Sequence, residues 1–277
     1  MDAARQPLKP IVDAHVHLWD PARFRMPWLD DDPHLNRLLG LADFRQATAG
    51  LPVDRFVYVQ TDVTPAYGWL EAEWAVTQAD AVVAWAPLED PQARTYLDAL
   101  RQLGPRIKGI RRLIQSEPDP QFPLRLVPGL RLLPDYGWPF DICIRHHQLP
   151  ATILMVGACP DTWFVLDHLG KPDIKHHLLD PWRERVAELA RLPNVVGCKL
   201  SGLVTEADHA GWTPSDLAPY VAHALEVFGP DRLLFGSDWP VLTYAATYTQ
   251  WVHTLGELIA EPAIWGTNAR RVYQLND

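Results

Sequence analysis

The stretch Ile11-Val12-Asp13-Ala14-His15-Val16-His17-Leu18 is a short apolar, β-branched run that ends in polar residues, the pattern of a buried strand. Seven more runs of this kind follow: RFVYVQTD from Arg55, AVVAWAPL from Ala81, RIKGIRRLI from Arg106, PFDICIR from Pro139, WFVLDHL from Trp163, NVVGCKLSG from Asn194 and RLLFGSDWP from Arg232. Most start roughly 25 to 40 residues apart, the length of one strand plus one crossover helix. Helix-like patterns fill the gaps. WLEAEWAVTQAD begins at Trp69, and PQARTYLDALRQLG begins at Pro91 with Asp90 as its expected N-cap. A short helix is expected from Pro150 through Met155, and WRERVAELARL follows Asp180-Pro181. Thr213-Pro214 open SDLAPYVAHALEVFG, which stops at Gly229, and EPAIWGTNARRVYQL reads as a terminal helix. Eight strands alternating with helices predict a parallel sheet covered on both faces, and eight is the number that closes a (β/α)8 TIM-type barrel. An open doubly wound sheet is the alternative, but no Gly-rich nucleotide loop follows an early strand.

The length, 277 residues, suits one barrel domain spanning 1–277. A hydrophobic fraction of 48% with 21% charged residues fits a packed core. The net charge of −9, with no Lys/Arg run, argues against nucleic acid and anionic membrane as partners. The opening MDAARQPLKP has no apolar signal region, and no run of about 18 apolar residues occurs, so a soluble cytoplasmic protein is expected. Cys143, Cys159 and Cys198 show no paired spacing and read as free thiols in a reducing compartment. The connection over 18–40 is too long for a simple turn and is expected to act as a pocket lid.

Active sites of such barrels lie at the C-terminal ends of the strands. His15 and His17, two apart on the first strand, point to one face and can take two corners of a metal site. Surface histidines on a half-buried strand are the bland alternative. His168 ends the sixth run just before Gly170, as a rim residue or as a core histidine bonded to backbone. Asp238 closes the eighth run, where a buried carboxylate needs a partner or a ligand. A helix-capping role suits it less, because Trp239-Pro240 follows. Together these place three imidazoles and a carboxylate at one end of one barrel.

The segments DAHVHLWD, DHLGKP, KLSGL, LLFGSDWPV and GTNARRVYQL resemble the amidohydrolase superfamily. More closely, they are similar to its amidohydrolase-related branch of L-fuconolactonase-, L-rhamnonolactonase- and 2-pyrone-4,6-dicarboxylate-lactonase-like hydrolases. The likeness runs over nearly the whole chain, with DHLGKP and GSDWP its most specific parts. It implies that Asp238 is the general base and that His15, His17 and His168 hold a metal or polarise the carbonyl. The bridging Lys or Glu of binuclear relatives has no counterpart on the fourth strand, where Lys108 falls too early. One divalent ion, zinc or manganese, is therefore the expectation, with metal-free catalysis as the other option.

The implied reaction is opening of a sugar-acid lactone in carbohydrate catabolism, with a small-molecule substrate. Asp238 would take a proton from water and return it to the leaving alkoxide, with His168 also catalytic. Without metal, a histidine and Arg111 would stabilise the oxyanion. Arg111 or Arg112 should face inward, and the resemblance favours Arg111. Gln60, His146, Lys199 and Trp239 are candidate substrate contacts. Each has a plain structural alternative: a loop bond for Gln60, solvation for His146, a buried stem for Lys199, and packing for Trp239. His146 is also a fallback metal ligand. Asp62 ends the second run, and Trp19, Trp28 and Trp85 sit near strand ends where rings can stack on sugars. His34, His176, His177 and His209 read as surface residues. A metal-dependent decarboxylase of an unsaturated or aromatic acid is the alternative on this fold, and a non-catalytic sugar-binding barrel is a third reading. A homodimer is one option for such a barrel.

Overall fold

The structure is a computed structural model that describes residues 10–275. The reading of MDAARQPLKP falls on residues that, apart from Pro10, lie outside the described ones. Eight strands form one parallel sheet in sequence order: β1 (Ile11–Val16), β2 (Val53–Val59), β3 (Ala81–Ala84), β4 (Ile107–Ile110), β5 (Phe140–Ile142), β6 (Phe164–Leu166), β7 (Val195–Leu200) and β8 (Leu233–Phe235). Seven lie inside their apolar runs, and β2 starts two residues ahead of its run, at Val53. Just past β8 the chain returns to β1: Asp238 N donates to His15 O at 2.9 Å and His17 N to Trp239 O at 2.7 Å. The expected barrel is thus present.

The helices are α1 (Leu41–Ala47), α2 (Gly68–Ala75), α3 (Ala93–Arg101), α4 (Phe122–Arg125), α5 (Val127–Leu130), α6 (Leu149–Gly157), α7 (Trp182–Ala190), α8 (Pro214–Phe228), α9 (Tyr248–Leu258) and α10 (Thr267–Val272). Helix α8 begins and stops as the sequence indicates. Asp216 Oδ2 accepts from Thr213 N and Oγ1, and Gly229 ends the helix at φ +69°. Helix α3 begins two residues later than expected. Asp90 caps no helix; its Oδ1 accepts from Gln92 N in a preceding turn.

The lower barrel interior is apolar. Val12, Ala14, Val57, Val59, Ala81, Val83, Val165 and Leu234 fill it, and Ala269, Val272 and Tyr273 from the C-terminal segment plug its floor. Strict alternation from Val12 would turn His15 outward. Strand β1 escapes this by a bulge: Asp13 pairs with Phe56 but Val16 with Tyr58, so β1 carries an extra residue between those positions. A bulge re-aims the side chains that follow it. Asp13 points outward to Tyr248 of α9, while His15 and His17 face the barrel axis.

The 18–40 connection is a packed wall with a closed neck. Trp19 and Leu39 exchange backbone hydrogen bonds of 2.9 and 3.0 Å, and Phe24, Met26, Leu29 and Leu35 are buried.

Candidate active site

At the C-terminal end of the barrel the four expected residues meet. His15 Nε2 lies 3.2 Å from His17 Nε2 and 3.6 Å from Asp238 Oδ1. His17 Nε2 is 3.3 Å and His168 Nε2 3.9 Å from the same oxygen. All four side chains are buried. His168 and Asp238 both sit in the left-handed backbone region, at φ +52° and +60°, which non-glycine residues adopt only when their surroundings impose it. Asp13 supplies part of that restraint: its Oδ1 accepts from Ser237 N at 2.9 Å and from His15 N at 3.1 Å. His168 is seated by Ser201 Oγ, 2.8 Å from its Nδ1, and lies over Gly202. A Cβ on Gly202 would come within 2.6 Å of that Nδ1.

Burial dominates the histidines. It drives His15 well below its ordinary 6.5, lowers His17, and takes His168 to about 4, so all three are neutral near pH 7. For Asp238, burial works upward, but the surrounding imidazoles outweigh it and keep the carboxyl ionised, below the usual carboxylate range.

Beneath this layer lies a second, charged one. Lys199 is fully buried; its Nζ is 2.5 Å from Asp141 Oδ2, 2.9 Å from Asp167 Oδ1 and 3.3 Å from His15 Nδ1. Tyr273 donates to Asp141 from the barrel floor at 2.9 Å. Arg111 Nη1 lies 3.2 Å from Asp167 Oδ2 and 3.3 Å from His15 Nε2, and Nη2 donates to Gln60 O. Burial opposes the Lys199 charge, but Asp141 and Asp167 outweigh it and raise the ammonium. Burial pushes Asp141 up to about 6 despite Lys199. Asp167, facing Lys199, His15 and Arg111, is held well below the carboxylate range in spite of its burial.

The donor set fits a divalent cation. His17 Nδ1 faces Val59 O at 2.7 Å and must donate to it, because a carbonyl only accepts. Neutral His17 then shows a lone pair to both His15 Nε2 and Asp238 Oδ1, at 3.2 and 3.3 Å. A proton or a cation belongs in that space. His15, His168 and Asp238 offer ligand atoms within 4.8 Å of one another, with His17 alongside. The charge balance agrees: Arg111 and Lys199 pair with Asp141 and Asp167, which leaves Asp238 with imidazole partners alone.

The open pocket above has a volume of about 200 Å³. His17, His168, Asp238 and Arg111 line it, with Trp19, Trp28, Asp62, Cys143 and Lys171 among its walls. The structure therefore separates the expected substrate contacts. Arg111 faces the pocket; Arg112 turns away to Glu89 and Glu117. Gln60 lies behind the wall, where its Oε1 accepts from Asp62 N at 2.6 Å. Lys199 lies under His15, not in the pocket. His146 Nδ1 donates to Lys171 O at 3.0 Å, and the residue does not line the pocket. Trp239 packs on Phe44 at a ring separation of 5.4 Å. Lys108 lines a depression at the opposite end of the barrel. His34, His176, His177 and His209 are exposed.

Asp13, Asp141, Asp167, Ser201 and Lys171 were not singled out from the sequence. Asp141 had one signal: a lone carboxylate in the middle of the apolar run PFDICIR, which has to find a buried partner.

An eight-stranded barrel with a His-rich, carboxylate-bearing C-terminal mouth has the architecture of a hydrolase of the metal-dependent kind. The chain belongs to the amidohydrolase family, whose model matches residues 12–275. It is 33% identical to an L-fucono-1,5-lactonase of Burkholderia multivorans, over 95% of this chain and 96% of that one. An L-rhamnono-gamma-lactonase of Scheffersomyces stipitis is 24% identical over 96% of each. A solved amidohydrolase from Burkholderia multivorans with bound zinc superposes with a TM-score of 0.86 at 32% identity, covering 97% of this chain and 100% of that one.

Proposed function

We propose that the protein hydrolyses the cyclic ester of a sugar acid, an aldonolactone such as L-fuconolactone or L-rhamnonolactone, as a soluble cytoplasmic enzyme of carbohydrate catabolism. The observation that carries this reading is the buried Asp238 carboxylate, whose Oδ1 lies 3.3, 3.6 and 3.9 Å from the ring nitrogens of His17, His15 and His168 at a small pocket. The lactonase relatives support the substrate class.

Asp238 accepts a proton from water as the water oxygen attacks the lactone carbonyl carbon. The carbonyl electron pair moves onto its oxygen, where the Arg111 guanidinium, fixed by Asp167 and Gln60 O, stabilises the charge. The carbon–oxygen ring bond then breaks. The leaving alkoxide takes the proton back from Asp238, and the open-chain acid departs. His15, His17, His168 and Asp238 would hold one zinc or manganese ion, which supplies Lewis acidity when bound. Ser201 and Val59 O orient His168 and His17.

A panel of aldonolactones followed by pH indicator, with and without prior chelation, tests the reading. Turnover lost on chelation and restored by Zn²⁺ or Mn²⁺ supports the metal-dependent form. Turnover that survives chelation supports lactone hydrolysis by the side chains alone. Inertness on the whole panel under every condition overturns the lactonase assignment.

A further inference from the structure

We propose that Asp62 and Trp28 form the selecting wall of this pocket and tune it to neutral, hydroxyl-rich rings against anionic ones, an inference that rests on the lactone hydrolase reading. Asp62 stands on the loop after β2 at the pocket edge, at φ +56°. That left-handed conformation is held by the buried Gln60 side chain, which accepts from Asp62 N. A non-glycine residue is rarely kept there without cause. The consequence is that the Asp62 carboxylate faces the pocket with no hydrogen bond or ion pair among the described residues.

Both cations on the wall are matched, and the other carboxylate belongs to the histidine cluster at the floor. Lys171 Nζ lies 3.6 Å from Glu206, Arg111 is engaged by Asp167, and Asp238 is ringed by imidazoles. The charge left free for a ligand is therefore negative. A carboxylate accepts charge-assisted hydrogen bonds from two hydroxyls at once, which suits a polyol. It repels a carboxylate or sulfonate brought into the same partly desolvated space.

Trp28 supplies the second half of the wall. It is 40% exposed yet held in place: its Nε1 donates to Thr61 O at 2.9 Å, and its ring meets Trp19 edge-to-face at 5.3 Å. A second tie, Thr64 N to Arg25 O at 2.8 Å, joins the same two loops. The pocket thus pairs a rigid indole face, which covers the C–H face of a sugar ring, with a carboxylate that takes its hydroxyls.

The test compares a neutral aldonolactone with a lactone carrying a ring carboxylate, in wild type, Asp62→Asn and Trp28→Ala. Loss of a charged hydrogen bond should lower kcat/KM for the neutral lactone about tenfold in Asp62→Asn, chiefly through KM. The carboxylated lactone should gain, so the selectivity ratio shifts by more than that tenfold. Salt should weaken the wild-type discrimination and leave the variant's unchanged. Trp28→Ala should raise KM at nearly constant kcat, and Trp28→Phe should restore most of it. An unchanged selectivity ratio in an active Asp62→Asn enzyme overturns the proposal. Should wild type hydrolyse no lactone, the function reading fails by itself, and the wall is judged by calorimetric binding of a neutral aldonolactam. Binding weakened severalfold in Asp62→Asn sustains it, and equal binding by both proteins sinks it.

Discussion

His17 Nε2 and Asp238 Oδ1 stand 3.3 Å apart, while the other nitrogen of the same ring is committed to Val59 O at 2.7 Å. The first and last strands of the barrel thus meet at a place where two lone pairs converge. The backbone bonds that close the barrel, Asp238 N to His15 O and His17 N to Trp239 O, bring these two side chains together.

Asp238→Asn keeps the shape and removes the proton acceptor. We expect kcat to fall by at least about 100-fold with little change in KM. Steady-state kinetics on a neutral aldonolactone decide it. A variant retaining a tenth of the wild-type kcat would remove Asp238 from the general-base role.

The four-residue donor set should bind metal in the folded chain only. Zinc at about 100 times its Kd should stabilise the stripped protein by about 2.7 kcal/mol, which raises Tm by roughly 5 °C or more. His17→Ala should cut that increment sharply. A Tm indifferent to zinc in wild type argues for the metal-free chemistry.

Lys199 is the sole cation touching both Asp141 and Asp167 among the described residues. Lys199→Met leaves the buried Asp141 without its cation, while Asp167 keeps Arg111, and should cost about 3–5 kcal/mol in urea unfolding. Adding Asp141→Asn should recover part of that loss. A double variant no more stable than Lys199→Met would show that the pair is not coupled.

Burial lowers His168 from its ordinary 6.5 to about 4 in the fold. A histidine lowered in this way favours the fold above pH 6.5, and its contribution drains away as pH falls toward 4. Asp13 and Asp141, raised to about 6, act in the opposite sense between pH 6 and 3.8, so total stability is a poor probe. The sharper quantity is the Tm difference between metal-free wild type and His168→Asn. It should narrow as pH drops from 7 to 4.5, and a constant difference would contradict the assigned shift.

Gly202→Ala places a methyl group 2.6 Å from His168 Nδ1, at a backbone φ of +63°. The strain should cost on the order of 1–3 kcal/mol. Displacement of His168 should lower kcat by about tenfold or more, because small misplacements at a reacting centre are costly. Wild-type kcat in a folded Gly202→Ala protein would show that the exact seat of His168 does not matter.

Much of the candidate site could be read along the chain, and the reason is local. His15 and His17 share a face because side chains two apart on a strand do, and His168 and Asp238 stand where apolar runs give way to turns. Alternation required one of Arg111 and Arg112 to face inward, and the family resemblance favoured Arg111. Lys199, Gln60, His146 and Trp239 were expected as substrate contacts, each with a plain structural alternative, and none of them lines the pocket.

By itself the sequence determined the eight strands, their parallel order and the end of the barrel that carries the chemistry. Spacing and hydrophobic period are one-dimensional quantities and suffice for these. Only the tertiary structure decided that β1 bulges between Asp13 and Val16, that Lys199 bonds Asp141 across 58 residues of chain, and that Tyr273 reaches Asp141 across 132. It alone left the Asp62 carboxylate free. A buried charge must be matched, but which partner matches it depends on the closure of the barrel, which no local pattern encodes.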